Sequence, residues 1–232
     1  MATGEILAFI DDDAIADPHW LANALRYLDD HPDVLALGGP DPAPPDSSIA
    51  ELISDTLLAT RWIGSGVAAH ENRRGTFLVR FPSDVALVNL FVRRSAFTGF
   101  DESIGYIGED TALLEGLMPQ VAYSDTVRVF HRRRAFPRAY LAQRWRYRVK
   151  TGEMMRQRGT RPAKVRAFLL AGVIGLLTLP ISLPLYLIGT FILGVRYTRL
   201  PPRYWPLIPL AFAAHHATYF CGIVWGRIGK RN

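Results

Sequence analysis

Three consecutive carboxylates, those of Asp11, Asp12 and Asp13, directly follow the apolar run Ile6–Ile10. Five apolar residues rich in β-branched and aromatic types predict a buried strand. In open α/β folds ligands bind where strands end, so this strand would deliver the three acids to a binding edge. Clustered carboxylates repel one another, whereas a divalent cation prefers oxygen ligands and bridges them to a diphosphate. The triplet therefore predicts a metal–diphosphate site.

A solvated acidic turn or a helix cap is the alternative explanation of the triplet. Asp17 and Pro18 form a good pair for the N-cap and first position of the next predicted helix. Because Asp17 fills that role, the triplet is left without a structural function, and the metal hypothesis is preferred.

Charge is distributed unevenly along the 232 residues, which carry a net charge of +6. Bases dominate between Arg128 and Arg166, and beyond that segment residues 167–195 and 205–226 contain no charged side chain. Each stretch exceeds the roughly 20 residues that a helix needs to cross a bilayer. The sequence therefore predicts a membrane protein with about two spans, a buried helix pair in a soluble protein being the alternative. Prolines at 180 and 184 leave open whether the first stretch is a kinked span or a hairpin.

The C-terminal region also bears on the orientation of the chain in the membrane and on its cysteine chemistry. Bases before the first span and after the second favour cytoplasmic ends, although Arg196, Arg199 and Arg203 between the spans oppose this orientation. We expect a bacterial plasma membrane with the catalytic part in the cytoplasm. The single Cys221 excludes a disulfide framework and a cysteine-based metal site.

The hydrophobic pattern predicts strands that alternate with helices over the first 130 residues, which is the α/β class. Predicted strands cover 6–10, 34–37, 85–92, 121–123 and 126–130; predicted helices cover 18–30, 48–62, 109–117 and 137–158; a mobile basic loop is predicted over 64–82. The strand that bears the acids is nearly the first element, so we expect a part of the sheet to precede Met1.

The order and spacing of several motifs resemble the inverting family 2 glycosyltransferases of the GT-A fold. Residues 2–13 (ATGEILAFIDDD) resemble the stretch that leads into the DxD motif of this family, and residues 17–21 (DPHWL) resemble the helix start that follows it. Phe100-Asp101-Glu102 and Gly108-Glu109-Asp110 resemble the FDE turn and the acceptor-side ED motif. The resemblance covers residues 2–159.

The triad Gln143-Arg144-Trp145 is similar to the Q-x-x-R-W signature of processive synthases, but the two spacer residues are absent. A single sugar transfer is therefore expected, with these residues on the acceptor or membrane side. The resemblance implies a partial, Rossmann-like GT-A domain that lacks its nucleotide-binding N-terminal part. We assign residues 1–135 to this domain, 136–166 to a basic amphipathic interfacial helix and 167–232 to the transmembrane region.

The resemblance also implies roles for the acids. Asp11 would contact the ribose of a nucleotide-sugar donor and could also ligate the metal, Asp13 would bind Mn²⁺ or Mg²⁺, and Asp12 would act on either. Asp110 would be the base that takes the proton of the acceptor hydroxyl, and Glu109 would orient the helix start or the acceptor. The alternative is a structural role, in which Glu109 and Asp110 only complement the positive dipole at the N-terminus of the helix.

His131 ends the last predicted strand of the catalytic part, so it could supply a metal ligand or a diphosphate contact at the same edge. A surface histidine beside Arg132, Arg133 and Arg134 is the equal alternative. The basic, aromatic helix that follows suits anionic headgroups and a lipid-linked or cell-envelope glycan acceptor. Nucleic acid is not expected as a partner, because the adjoining spans argue against it.

The sequence thus predicts a membrane-bound glycosyltransferase that inverts the anomeric centre of its donor sugar. Two alternatives remain open. The first is a metal-dependent hydrolase or nucleotidyltransferase that uses the same triplet. The second is an inactive truncated fragment or a membrane-bound partner.

Overall fold

The computed structural model describes residues 2–65, 67–102, 108–157 and 163–228, and the side chains at 163–165 and 168 are left aside. These residues divide into two units. The first contains Met1–Ser47 and Arg61–Arg133, and the second contains Ser48–Thr60 and Arg134–Asn232. The helix at 48–60 thus groups with the C-terminal part of the chain.

Strands and helices alternate in the first unit, so the predicted α/β class is confirmed. The strands are β1 Ile6–Ile10, β2 Ala14–Ala16, β3 Ala36–Gly38, β4 Thr76–Leu78, β5 Asn89–Arg93, β6 Val121–Ser124 and β7 Val129–His131. The helices of the chain are α1 Trp20–Asp30, α2 Ile49–Ala59, α3 Glu109–Glu115, α4 Arg138–Gln157, α5 Ala163–Leu177, α6 Leu179–Tyr197 and α7 Leu207–Ile228. Five strands form a mixed sheet in the order β1-β5-β3-β6-β4, and β2 pairs with β7 in a separate ribbon.

Strand β1 has the predicted bounds but not the predicted burial. Within the part of the chain that the structure describes, it lies at the edge of the sheet and pairs with β5 alone, and none of its five residues is buried. The prediction of a buried strand was wrong because an apolar run does not reveal how many neighbours a strand has. Phe9 packs on Phe97 and Phe100 with ring centroids 5.6 and 5.7 Å away, which covers part of one face of the strand.

Two local predictions in the first unit are corrected. Helix α1 begins at Trp20 with His19 as its N-cap, so Asp17 does not cap it. Asp17 instead accepts a hydrogen bond from the backbone N–H of His19 at 3.0 Å, an Asx turn that precedes the helix. The segment 64–82, predicted as a mobile loop, contains strand β4 and the fully buried Ala68 and Ala69.

The sheet separates two layers of core in the first unit. One layer packs α3 and the segment around Ala68 against β5 and β6, with Leu90, Leu114 and Tyr123 fully buried. The other packs α1 against the opposite face through Leu28, Leu37 and Phe91. Apolar burial on both faces holds the strand ends in place, and these ends carry the candidate site.

Helix packing organises the second unit. Helices α4 and α7 approach so closely that a Cβ on Gly152 would lie 2.3 Å from the carbonyl oxygen of Ile223, and one on Gly226 would lie 2.0 Å from that of Val149. The buried His215 of α7 forms a hydrogen bond with Tyr140 of α4, and Nδ1 of the imidazole lies 2.9 Å from the tyrosine hydroxyl oxygen. Glycine therefore permits backbone contact between a basic helix and an apolar one.

Two helices, α6 and α7, are long and apolar enough to cross a membrane by length and composition. The uncharged stretch 167–195 is divided between α5 and α6, which meet at Thr178. Pro184 lies inside α6. Large apolar side chains of α6 are exposed, among them Ile181 (71%) and Leu185 (66%), whereas an ordinary soluble surface rarely groups so many.

Candidate active site

A tight turn and a two-stranded ribbon bring the acidic triplet to His131. Strand β1 ends at Ile10, and the turn that follows is closed by a hydrogen bond from the N–H of Ala14 to the carbonyl of Asp11 at 3.1 Å. Strand β2 then pairs antiparallel with β7, with Ala14 opposite His131. This register puts the last residue of β7 beside the triplet, at the strand end where the sequence predicted a site.

Three side chains in this turn and ribbon can hold one metal ion. Asp11, Asp13 and His131 each offer one ligand atom, and these atoms all lie within 4.8 Å of one another. Nε2 of His131 lies 3.3 Å from Oδ1 of Asp13. Two carboxylates and an imidazole suit Mn²⁺ better than Mg²⁺, which favours an all-oxygen shell. Asp12 is outside this group, so the structure brings together two of the three acids with the histidine.

Electrostatics around Asp11 are consistent with a cation site. Burial of its carboxyl raises the pKa of Asp11; the His131 ring lowers it, and the neighbouring carboxylates of Asp13 and Asp12 raise it further. Mutual repulsion is relieved when a cation binds between the acids. The donor set therefore fits the metal that the sequence predicts.

A fully buried carboxylate, that of Asp41, lies behind His131. Its Oδ1 accepts hydrogen bonds from Nη2 of Arg133 at 3.1 Å and from Nδ1 of His70 at 2.9 Å. Its Oδ2 accepts from Nη1 of Arg133 at 3.3 Å and lies 3.8 Å from Nδ1 of His131. Sequence analysis did not identify Asp41 or His70. The available signal was an acid within a loop rich in glycine and proline, which does not indicate burial.

Arg133 and Asp41 form a buried ion pair whose rupture we expect to destabilise the first unit. Arg133→Met should lower the free energy of unfolding by about 3–5 kcal/mol, because it leaves a buried carboxylate without its countercharge. Urea unfolding of the detergent-solubilised chain measures the loss. Arg132→Met, which removes an exposed pair with Asp46, is the control and should cost at most about 1 kcal/mol.

The pH dependence of the same pair has a defined sign. Although burial of Asp41 opposes ionisation, the Arg133 and His70 side chains hold its pKa well below the usual range. This contribution to stability is fully present above the unfolded-state pKa of about 4. It is lost as pH falls through the lower folded-state value. The stability difference between the chain and Arg133→Met should therefore shrink below about pH 4, and a constant difference would contradict the pairing.

Glu109 and Asp110 begin helix α3 as predicted, after Gly108 in a left-handed conformation (φ 96°). Oδ1 of Asp110 accepts a hydrogen bond from the N–H of Thr111 at 2.7 Å. Oε2 of Glu109 is buried without a hydrogen-bond partner in the described part of the chain. No described hydrogen bond joins either acid to the metal group. The Gly105–Gly108 loop was predicted to bring Asp110 to the cleft, and its residues 105–107 lie outside the described residues.

Gln143, Arg144 and Trp145 lie on helix α4, and two of them line an open groove of about 530 Å³. The groove is lined by Arg134, Ala139, Ala142, Gln143, Trp145 and Arg146. Arg144 points elsewhere: its Nη2 donates to Oε1 of Gln143 at 3.0 Å, and its guanidinium lies over the Tyr147 ring at 5.0 Å. Arg134 and Arg146 form no ion pair with described residues, so the groove carries uncompensated positive charge.

Comparison with known proteins agrees with the resemblance found in the sequence. Residues 1–94 match the family described as glycosyl transferase family 2. A glucosyl-dolichyl phosphate glucuronosyltransferase from Haloferax volcanii is 41% identical over 39 residues, which cover 17% of this chain and 12% of that protein. The chain thus matches a small part of the length of this relative. Residues 1–94, which include the acidic turn, are therefore similar to glycosyl transferase family 2.

Proposed function

We propose that this chain is a membrane-bound enzyme that transfers one sugar from a nucleotide-sugar donor to a lipid-linked or cell-envelope glycan acceptor, with inversion. The observation that carries the proposal is the meeting of Asp11, Asp13 and His131 within 4.8 Å, in and beside the segment that matches the family. A lone acidic turn would not explain a histidine brought in from a distant strand.

Donor binding is assigned to the acidic turn. Asp11 and Asp13, with His131, would hold Mn²⁺ or Mg²⁺, and Asp11 and Asp12 would also contact the ribose and diphosphate. When bound, the cation supplies countercharge to the diphosphate as it leaves. The side chains of the turn orient the donor so that its anomeric carbon is open to attack from the face opposite the leaving group.

General base catalysis is assigned to helix α3. An inverting transfer needs one base, and Asp110 takes the proton of the acceptor hydroxyl as that oxygen attacks the anomeric carbon. Its Oδ1 is held by the N–H of Thr111, and no donor among the described residues contacts Oδ2, which is available for the proton. Oε2 of Glu109, which is buried and has no hydrogen-bond partner among the described residues, is the group that would accept a hydrogen bond from the acceptor.

Membrane attachment is assigned to α6 and α7, with α4 at the bilayer surface and the catalytic part on the cytoplasmic side. The support is the length and composition of the two helices and the exposed apolar side chains of α5 and α6. The printed name of the relative includes a dolichyl phosphate. A phosphate attached to an apolar chain would match the two arginines, Trp145 and the two alanines of the α4 groove.

The groove predicts which bases in and just before α4 contact the acceptor. Arg134→Gln and Arg146→Gln should each raise the KM for a polyisoprenyl phosphate acceptor about tenfold, since each removes a charge-assisted hydrogen bond. As the control, Arg138→Gln removes an exposed base at the start of α4 that does not line the groove. Initial rates at varied acceptor concentration measure the effect, and an equal rise in Arg138→Gln would show that only overall charge matters.

Transfer itself is tested with the detergent-purified chain, Mn²⁺ and a panel of nucleotide sugars. Calorimetry first identifies a donor that binds saturably, and that donor is then incubated with and without polyisoprenyl phosphate. A glycolipid of inverted configuration, formed only with the acceptor, is the expected product. Release of free sugar at the same rate without acceptor would instead indicate a hydrolase. Absence of donor binding to the folded chain would contradict the proposal.

A further inference from the structure

His131 can ligate a metal through Nε2 only if that nitrogen carries a lone pair. In the neutral ring the proton then resides on Nδ1, and Nδ1 needs a hydrogen-bond acceptor. Nδ1 of His131 lies 3.5 Å from Nη1 of Arg133, a contact in which only the guanidinium can donate, and 3.8 Å from Oδ2 of Asp41. A proton on Nδ1 would repel that guanidinium N–H, so of these two groups only the carboxylate can accept it.

The hydrogen bonds of Asp41 leave one of its oxygens available to His131. Oδ1 already accepts from Arg133 and from His70. Oδ2 accepts only from Nη1 of Arg133 among the described residues and faces the ring of His131. The 3.8 Å between Nδ1 and Oδ2 is longer than a hydrogen bond, so the contact forms only when the imidazole turns from Arg133 toward Asp41.

The backbone holds Asp41 opposite His131. The N–H groups of Val129 and His131 donate to the carbonyls of Pro40 and Pro42, at 3.1 and 2.9 Å. The N–H of Asp41 donates a hydrogen bond to the carbonyl of Ala69, and Nη2 of Arg133 donates one to the carbonyl of Asp41. The loop at 40–42 therefore runs beside β7 as an added strand would, and these contacts hold Asp41 in place.

We propose that Asp41 is a positioning residue for the metal site: it accepts the Nδ1–H of His131, fixes the ring and thereby presents Nε2 to the cation. The inference rests on the metal site of the proposed function and adds a residue that does not itself touch the metal. Carboxylates that accept from a ligating histidine commonly contribute 10–100-fold in metal affinity.

The test measures Mn²⁺ binding to the full chain in detergent without donor or acceptor. Asp41→Asn should weaken Mn²⁺ binding about 10–100-fold, as read from the free-Mn²⁺ signal in electron paramagnetic resonance, and should remove the imidazole nitrogen coupling seen in pulsed spectra. Asp46→Asn, an exposed acid of the same loop region, should bind as the unaltered chain does. Unchanged affinity and coupling in Asp41→Asn would overturn the inference.

A double-variant cycle separates positioning from general destabilisation. If Asp41 acts through His131, Asp41→Asn should cause no further loss of affinity in a chain that already carries His131→Ala. An equal loss in both backgrounds would overturn the inference. A chain that binds no Mn²⁺ before any substitution would contradict the proposed metal site itself, which is a different failure from an ineffective Asp41→Asn.

A measurement on the unaltered chain covers the case in which Asp41→Asn does not fold. In a chain labelled with ¹⁵N-histidine and saturated with Mg²⁺, His131 should show the tautomer protonated at Nδ1. A ring protonated at Nε2 under these conditions would overturn the inference, because that nitrogen could not then be the ligand.

Discussion

Asp13→Ala should abolish Mn²⁺-dependent sugar transfer, with a fall in kcat/KM of about a thousandfold or more. The carboxylate of Asp13 is within 3.3 Å of Nε2 of His131, so its loss removes one of three ligands and the partner of a second. A metal that stabilises a leaving diphosphate supplies several kcal/mol to the transition state, and each 1.4 kcal/mol is worth a factor of ten.

Two comparison variants make the Asp13 result specific. Asp12→Ala removes an acid of the same turn that is outside the metal group, so Mn²⁺ affinity should persist while donor affinity falls. Asp29→Ala removes an exposed acid of α1 and should leave the affinities for Mn²⁺ and for the donor unchanged. Initial rates at several Mn²⁺ concentrations provide the measurement, and unchanged turnover in Asp13→Ala would refute its metal role.

The sequence located the elements that carry the site because their signals are local. An apolar run followed by charge gave the bounds of β1, a glycine followed by two acids gave the start of α3, and a basic amphipathic pattern gave α4 to within one residue at each end. The position of a strand within its sheet depends on distant parts of the chain, so a local signal does not reveal it. Nothing in the run Ile6–Ile10 shows that it has a neighbour on one side only, so its burial was overestimated.

Sequence analysis did not identify the buried pair of Asp41 and Arg133 beside the metal site, because their contact is not local in the sequence either. Asp41 and Arg133 are 92 residues apart, and a buried acid is tolerated only where the fold brings it a countercharge. Gly39 gives a second example: a Cβ there would lie 1.8 Å from the carbonyl oxygen of Val127, a contact that sequence alone does not show. Conversely, the histidine predicted from its place at a strand end does lie beside the acids, because β7 pairs with β2 directly after the acidic turn.

Asp110→Asn should reduce transfer by about 10²–10⁴-fold, the usual contribution of a general base, and should leave Mn²⁺ and donor affinity intact. Asparagine keeps an oxygen that can accept from the N–H of Thr111, so the start of α3 is preserved while the proton acceptor is lost. The loss should appear in kcat rather than in the donor KM, because the base acts on the acceptor hydroxyl in the transition state.

Glu115→Gln is the matched control for Asp110→Asn, since it neutralises an exposed acid at the other end of α3. Rates for this variant should be unchanged. Single-turnover measurements with saturating donor separate chemistry from product release. If Asp110→Asn transfers sugar at the original rate, the base is another group, and the two acids at the start of α3 serve the helix terminus alone. If it binds donor but does not transfer, the metal turn and α3 divide the reaction between them: leaving-group stabilisation at one, and proton removal at the other.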